Sequence, residues 1–186
     1  FVNKGETLCV VGESGCGKSL TSLAIMDLLP KAANKAITAL DLSGTSILNY
    51  SQKKMSDIRG NKMAMIFQEP MTSLNPAYSI GNQLMEAMLR HKKISRGEAR
   101  DRAVELLQKV GIKDAENRLR QFPHQLSGGL RQRVMIAMSL MCGPDLIIAD
   151  EPTTALDVTI QAQILSLLKE LQDDLGMGLL LITHDM

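Results

Sequence analysis

The hydrophobic positions of this chain fall into short continuous runs and longer helical repeats. Four runs are apolar over most of their length and predict buried strands: TLCVVG at 7–12, KMAMIF at 62–67, DLIIAD at 145–150 and GLLLIT at 178–183. The last two have the composition of central strands in a parallel sheet. A further stretch, ITALDLSGTSIL, holds two shorter runs around Ser43-Gly44 and predicts a hairpin.

Apolar residues at helical spacing mark the segments between these strands. From Lys18 onward a helix is predicted, and Pro30 is expected to end it. Between 99 and 110, apolar residues recur every three or four positions, and Gly111 stands at the expected stop. Residues 130–141 are apolar on nearly every side, which indicates a mostly buried helix. The middle of the chain is therefore expected to be helical.

The order of these elements predicts the architecture. One more amphipathic helix is expected from 160 to 171, with Asp157 as its N-cap. Strand–helix units thus occupy both ends of the chain and helices the middle, which predicts an α/β fold with an inserted helical subdomain. We expect a core of residues 1–68 and 144–186, with a small hairpin region within 30–60, and a helical subdomain of residues 69–143.

Composition narrows the classes of protein that remain. The chain has 21 Lys and Arg against 20 Asp and Glu, a net charge of +1, and no polybasic tract, so a nucleic-acid partner is not expected. Its three cysteines are scattered, which favours a reducing cytosolic compartment, and no apolar run is long enough to span a membrane. Because the sequence begins at Phe1 and stops just after a strand-like run, we expect it to be part of a longer polypeptide.

The segment GESGCGKS, Gly12 to Ser19, is the strongest chemical signal. It fits G-x-x-x-x-G-K-[ST] and lies between a predicted strand and a predicted helix, the context that this phosphate-binding motif requires. The backbone amides of Gly15 to Ser19 would face a β-phosphate. Lys18 would reach the β- and γ-phosphates, and the hydroxyl of Ser19 would hold Mg²⁺.

A second signal is LIIADE, where an apolar strand ends in two carboxylates. The strand would deliver Asp150 to the carboxyl edge of the sheet, where it would orient Mg²⁺. Glu151 comes next and could polarise an attacking water. Alone, Glu151 would be better explained as a surface carboxylate at a strand end. The presence of a phosphate-binding loop in the same chain favours the catalytic explanation instead.

Four other polar residues have either a functional or an ordinary explanation. Gln68 and His184 each follow a predicted strand, and each could be a plain loop amide or a hydrogen-bonded histidine. Asp157 and Ser127 each precede a predicted helix and could simply be caps. Ser127 opens the segment SGGLRQRV, a second glycine turn at a helix start that would attract an anion.

Taken together, these motifs resemble the ATPase subunit of ATP-binding-cassette (ABC) transporters. Their order is GESGCGKS, Gln68, LSGG, LIIADE, TALD and His184, and it extends over essentially the whole chain. The resemblance implies a P-loop NTPase core with a mainly parallel sheet, ATP and Mg²⁺ as ligands, and ATP hydrolysis coupled to transport. It also implies a head-to-tail dimer with a second ATPase subunit, in which the Ser-Gly-Gly turn binds the partner's ATP.

The resemblance assigns a role to each motif residue. Glu151 is the catalytic base, His184 the switch histidine, and Gln68 the residue that touches Mg²⁺ and the attacking water. Ser19, Gln68 and Asp150 are the implied metal ligands. Asp157 reaches towards the partner. The residues implied in nucleotide binding are Gly12, Glu13, Ser14, Gly15, Cys16, Gly17, Lys18, Ser19, Ser127, Gly128, Gly129 and Asp157.

Two segments resemble one branch of the family, the bacterial importers of oligopeptides, dipeptides and nickel. They are FQEPMTSLNPAYSIGNQLMEAM and LSGGLRQRVMIAMSL. The stretch after Gln68 is where that family docks membrane permease subunits, which implies a peripheral protein at the cytoplasmic face of the membrane. Leu130 departs from the family, whose commonest signature has Gln there, and no aromatic residue precedes the P-loop at the distance where the family stacks adenine.

Two other functions stay open from the sequence. One is a soluble cassette ATPase that acts on nucleic acid or ribosomes, which the neutral charge and the segment after Gln68 disfavour. The other is a nucleotide-binding module that does not turn over in this fragment. Lys18, Glu151 and His184 argue against that for the native protein.

Overall fold

A parallel β-sheet carries the phosphate-binding loop and most of the polar residues singled out above. The computed structural model describes residues 1–13, 15–69, 73–153 and 156–184. Within these ranges the elements are β1 (Thr7–Val11), α1 (Lys18–Ile25), β2 (Asp41–Leu42), β3 (Thr45–Ser46), α2 (Gln52–Ile58), β4 (Met63–Ile66), α3 (Ile80–His91), α4 (Arg96–Lys109), α5 (Ala115–Arg118), α6 (Gly128–Leu140), β5 (Leu146–Asp150), α7 (Val158–Leu175) and β6 (Gly178–Thr183).

The main sheet has the strand order β1-β6-β5-β4, and every neighbouring pair is parallel. Strand β5 is central, and Ile147, Ile148 and Ala149 within it are fully buried. A continuous apolar run indicates such a strand, buried on both faces of the sheet. The α/β class and the parallel sheet expected from the sequence are both confirmed.

Parallel pairing brings the ends of all four strands to one edge. Val11 pairs with Thr183, Asp150 with Ile182 and Ile66 with Ala149. The residues that follow β1, β4, β5 and β6 therefore emerge side by side, where open α/β folds bind ligands.

Helices α3 to α6 lie between β4 and β5 in the chain and pack on the sheet through one apolar core. That core joins Ile66 and Ile147 of the sheet to Leu84, Leu107 and Ile136 of the helices. Helix α4 begins with a capping box in which Ser95 and Glu98 each accept a hydrogen bond from the other's backbone amide. The predicted helical segment is thus confirmed as helices.

The hairpin predicted around Ser43-Gly44 is confirmed as β2 and β3. Both turn residues have positive φ, 49° and 77°, as a two-residue hairpin turn requires. A smaller apolar cluster lies under this region and joins Ile47 and Met55 to Ile148 of the main sheet.

Two sequence expectations were wrong or incomplete here. Helix α1 ends at Ile25 and does not continue to Pro30, because Asp27 takes a left-handed conformation with φ of 53°. Its carboxylate binds Lys35 and Gln52, which are tertiary partners. Helix α2 was not predicted, since Met55 is its one buried residue. Among the described residues, no helix has the length and apolar character needed to cross a bilayer.

Candidate functional site

The loop between β1 and α1 is shaped by its glycines. Gly15 and Gly17 have φ of 84° and 93°, a region that residues with a Cβ rarely adopt. A Cβ at Gly12 would lie 3.0 Å from Sγ of Cys16. Glu13 and Cys16 are on the exposed side of the loop, and Ser14 lies outside the described residues.

Lys18 is buried, with 8% of its surface exposed, although its side chain is charged. Its Nζ donates to the carbonyl oxygens of Gly12 at 2.5 Å and Glu13 at 2.7 Å, and lies 3.6 Å from Sγ of Cys16. These contacts hold the ammonium group inside the loop at the start of α1. A buried cation there is placed to meet an anion that the loop encloses.

The first turn of α1 leaves its backbone amides available. Gly17 is the N-cap, no side chain caps the helix, and no acidic residue occupies its first turn. The amides at an uncapped helix start carry a partial positive charge. Together with Lys18 they give this loop a local positive charge that favours a phosphate group.

Asp150 connects the end of β5 to α1. It is 4% exposed and accepts hydrogen bonds from Oγ of Ser19 at 3.0 Å and Oγ of Ser22 at 3.4 Å. Burial raises the pKa of this carboxyl group, and the nearby charge of Glu151 adds to the rise, whereas the two hydroxyls and Lys18 oppose it.

The carboxylate of Glu151, at the end of β5, contacts side chains that follow β4 and β6. Its Oε2 accepts a hydrogen bond from Nε2 of Gln68 at 2.9 Å and lies 3.3 Å from Nδ1 of His184. Its backbone has φ of 45°, and its N–H donates to the carbonyl of Ile182 at 2.9 Å. Gln68, Glu151 and His184, which lie far apart in the sequence, thus form one cluster after β4, β5 and β6.

The Ser-Gly-Gly turn lies at the start of α6. Ser127 is the N-cap, and its Oγ accepts from the N–H of Leu130 at 3.4 Å. Ser127 and Gly128 are exposed. Among the described residues, no hydrogen bond joins this turn to the P-loop. The turn is thus an exposed helix start that is capped by its own serine.

Asp157 and the turn at Ser127 lie near each other. The Asp157 side chain accepts from the N–H of Ile160 at 3.0 Å, so the predicted N-cap of α7 is confirmed. A Cβ on Gly128 would lie 3.8 Å from Leu156, and one on Gly129 would lie 3.4 Å from Ile160. The start of α6 thus packs against the start of α7.

Two residues of the site were missed by sequence reasoning. Ser22 binds Asp150, and its position three residues after Ser19 on α1 could have indicated this. Gln132 is 1% exposed on α6 and donates from Nε2 to the carbonyl of Pro152 at 2.5 Å. A glutamine inside a mostly buried helix was the available signal.

A glycine loop between a parallel strand and a helix, with a buried lysine and a carboxylate at the end of another strand of the same sheet, defines the P-loop class of nucleotide-binding folds. The ABC transporter family profile matches residues 1–154. The chain belongs to that family. The resemblance drawn from the motifs is thus confirmed.

The curated relatives carry names from peptide transport. The chain is 55% identical over 184 residues to the dipeptide transport ATP-binding protein DppD of Bacillus subtilis, covering 98% of this chain and 55% of that protein. It is 53% identical over 186 residues to the probable peptide ABC transporter ATP-binding protein y4tR of Sinorhizobium fredii, covering all of this chain and 56% of that protein. The chain thus spans just over half the length of these relatives.

Solved structures have the same fold. A dimeric ATP-binding cassette, MJ0796 in a post-hydrolysis state bound to ADP and Pi, matches with a TM-score of 0.83 at 29% identity, over all of this chain and 77% of that one. The cassette cbiO1 from Clostridium perfringens matches with a TM-score of 0.77 at 28% identity, over 98% of this chain and 68% of that one.

Proposed function

We propose that this chain is the ATP-binding and ATP-hydrolysing part of a subunit that powers a peptide importer. The observation that carries the proposal is Glu151, held between Gln68 and His184 at the edge of the sheet that also bears the P-loop. The proposal for peptide as the solute rests on the names of the curated relatives, three of which are peptide, dipeptide and oligopeptide transport ATP-binding proteins.

The nucleotide would bind where Lys18 and the amides of the P-loop converge. The contacts of Lys18 with the carbonyls of Gly12 and Glu13 are of the kind that phosphate oxygens can replace. The remaining loop residues, including Ser14, are proposed to bind the phosphates through their backbone amides. The MJ0796 structure bound to ADP and Pi supports nucleotide binding by this fold.

The residues around Asp150 suit Mg²⁺. A buried carboxylate beside a serine hydroxyl offers oxygen ligands only, which is the donor set that this ion prefers. Among the described residues, no group of three or more His, Cys, Asp and Glu side chains could hold a metal alone. We therefore propose that Ser19, Asp150 and Gln68 hold Mg²⁺ together with phosphate oxygens, where it would neutralise charge on the phosphates.

The same geometry suggests how hydrolysis proceeds. Glu151 is placed to accept a proton from a water that attacks the γ-phosphate. Gln68 donates to one carboxylate oxygen of Glu151 and would keep the carboxylate turned toward that water. His184 lies against the same carboxylate from β6, where it would contact the γ-phosphate and keep Glu151 oriented.

The exposed signature turn, Ser127 to Gly129, is proposed to complete the ATP site of a second ATPase subunit. It offers a helix start without acidic residues, and among the described residues no hydrogen bond joins it to the P-loop of its own chain. The dimeric MJ0796 cassettes support a paired arrangement. We propose that Asp157, next to this turn, also reaches the partner across the head-to-tail interface.

Permease subunits are proposed to dock beside the segment that follows Gln68. A groove of about 630 Å³ lies there, between α3, α6 and β4, and its apolar lining includes Met65, Phe67, Met135 and Met138. Phe67 is 40% exposed, so a contact surface is available. This docking would place the protein at the cytoplasmic face of the membrane. Nucleic acid is not a proposed partner.

The proposal also divides the chain into an ATPase core and a helical subdomain. We assign residues 1–68 and 144–186 to the ATPase core, with the hairpin region within 30–60, and residues 69–143 to the helical signature subdomain. Helices α3 to α6 fall within 69–143 and every strand of the main sheet falls outside it, which supports this division.

The proposal is tested with the full-length protein and its permease subunits in lipid vesicles. We expect ATP-dependent uptake of a labelled dipeptide or oligopeptide, together with phosphate release. Phosphate release without permease subunits and without uptake would favour a soluble ATPase. ATP binding without phosphate release would indicate a binding module. Uptake of nickel but no peptide would correct the solute and leave the ATPase assignment intact.

A further inference from the structure

Gln132 connects the helix that begins with the signature turn to the turn that carries Glu151. The side chain is almost fully buried, and its amide donates to the carbonyl oxygen of Pro152 at 2.5 Å. Pro152 is itself buried and has no N–H, so this carbonyl is its one backbone group able to form a hydrogen bond. The bond thus satisfies the backbone of the residue directly after Glu151.

Glu151 needs such support because of its backbone conformation. A φ of 45° is unfavourable for a residue with a Cβ and persists only where the surroundings hold it. On one side, the N–H of Glu151 is tied to Ile182 of β6. On the other side, the carbonyl of Pro152 is tied to Gln132 of α6. The two bonds together fix the direction in which the carboxylate leaves the sheet.

The neighbours of Gln132 on α6 make similar contacts with other segments. Nε of Arg131 donates to the carbonyl of Pro123 at 2.8 Å, and Nη1 of Arg133 donates to the carbonyl of Val110 at 2.6 Å. Among the described contacts of these three side chains, the bond from Gln132 reaches Pro152, the residue directly after the proposed catalytic base.

We propose that Gln132 is a positioning residue for Glu151, so that each copy of α6 serves two ATP sites. Its first turn would serve the partner's nucleotide, and Gln132, one helical turn further on, orients the base of its own chain. This inference rests on the proposed function. Gln132 does not touch the P-loop among the described residues, so its loss should slow the chemical step and leave nucleotide affinity unchanged.

The first test replaces the amide in the full-length ATPase assembled with its permease subunits. Gln132→Met keeps the length of the side chain and removes the donor. We expect kcat to fall about tenfold while KM for ATP stays within about twofold, because a misdirected base weakens only the transition state. The matched control is Gln172→Met: Gln172 is equally buried but binds Thr7, far from the site, and should leave kcat within about twofold.

A second test separates an effect on Glu151 from an effect on the signature turn. In a dimer with Lys18→Ala in one chain, the remaining site takes its P-loop and Glu151 from the other chain and its signature turn from the Lys18→Ala chain. Gln132→Met should lower turnover when it lies in the chain that supplies Glu151. It should have little effect when it lies in the Lys18→Ala chain.

The outcomes distinguish the inference from the proposed function. Unchanged kcat in the symmetric Gln132→Met protein, or a larger loss from the Lys18→Ala chain, would overturn the role of Gln132. Should Gln132→Met unfold at a lower temperature than the Gln172→Met control, the mixed dimers of the second test decide, because both placements of Gln132→Met carry the same loss of stability. Retained hydrolysis in Glu151→Gln would instead overturn the proposed function itself.

Discussion

The starts of α1 and α6 use the same backbone feature in different surroundings. Each is a glycine-containing turn at a helix N-terminus with no acidic residue in its first turn. At α1 the turn holds a buried lysine and lies against Asp150. At α6 the turn is exposed and capped by its own serine. One helix start is therefore enclosed by contacts within its own chain, whereas the other is exposed at the surface.

The difference agrees with the proposal that a complete ATP site draws residues from two chains. Four strand ends supply the P-loop, Asp150, Glu151, Gln68 and His184 within a single sheet. The signature turn belongs to a helix that packs on the same core but points its first turn to the surface. The predictions below test whether this separation reflects two half-sites.

The largest effect is expected at Glu151, within the enclosed site. Glu151→Gln preserves shape and the contact with Gln68 but removes the base, so hydrolysis should fall on the order of 10²- to 10⁴-fold while ATP binding remains. Phosphate release by the full-length protein measures this. Glu170→Gln, an exposed carboxylate on α7, is the control and should be near wild type. Hydrolysis within a few-fold of wild type would contradict the assignment of the base.

The separation itself is tested by placing two substitutions in the same chain or in opposite chains of a dimer. Lys18→Ala and Ser127→Arg in opposite chains leave one complete site, so about half of the wild-type turnover is expected in isolated mixed dimers. Both substitutions in one chain damage both sites, and turnover should be close to zero. The measurement is ATPase activity of purified dimers with differently tagged chains. Higher activity with both substitutions in one chain than in opposite chains would mean that the signature turn acts within its own chain.

Nucleotide affinity should distinguish the two helix starts in the isolated chain. Lys18→Ala removes the buried cation and should weaken ATP binding by at least about tenfold. Ser127→Arg alters an exposed turn away from the P-loop and should leave affinity within about twofold. Calorimetric titration of monomeric protein with Mg-ATP makes the comparison. A large loss in Ser127→Arg alone would contradict the two-site interpretation.

The smallest effect is expected on stability, at Asp150. Because burial raises the pKa of this carboxyl group, its charged form is less stable in the folded chain than in water. Above the usual pKa of 3.8, stability should therefore decline as pH rises through the raised folded value. At pH 7, without nucleotide or metal, Asp150→Asn should gain about 1 kcal/mol.

Urea unfolding at pH 7 and near pH 3 checks this sign. The gain from Asp150→Asn should disappear at the lower pH, where the carboxyl group is protonated in both states. Asp173→Asn changes an exposed carboxylate on α7 and should alter stability by less than about 0.5 kcal/mol at either pH. Lower stability of Asp150→Asn at pH 7 would mean that the serine hydroxyls outweigh burial.

Much of the strand framework could be predicted from the sequence. Apolar runs such as LIIAD and GLLLIT lie in the interior of the sheet, where burial on both faces leaves no polar alternation to misinterpret. Because parallel strands share one carboxyl edge, the residues after these runs could also be expected near each other. The cluster of Gln68, Glu151 and His184 follows from that rule.

The remaining details depend on tertiary contacts that no local pattern encodes. The early end of α1 at Asp27 is fixed by Lys35 and Gln52, which come later in the chain. Helix α2 buries only Met55, so it has no apolar repeat to detect. The bond from Gln132 to Pro152 joins residues that the sequence separates by a loop, a strand and a turn.

The left-handed backbone conformation of Glu151 means that selection for stability and selection for activity favour different residues at this position. Glycine would relieve that conformation, so a screen that rewards only thermal resistance or expression yield would favour glycine at position 151. The same replacement would delete the carboxylate that Gln68 and His184 both contact. An engineering campaign on this scaffold should therefore hold position 151 fixed and gain robustness elsewhere, for example in the exposed faces of α4 and α7.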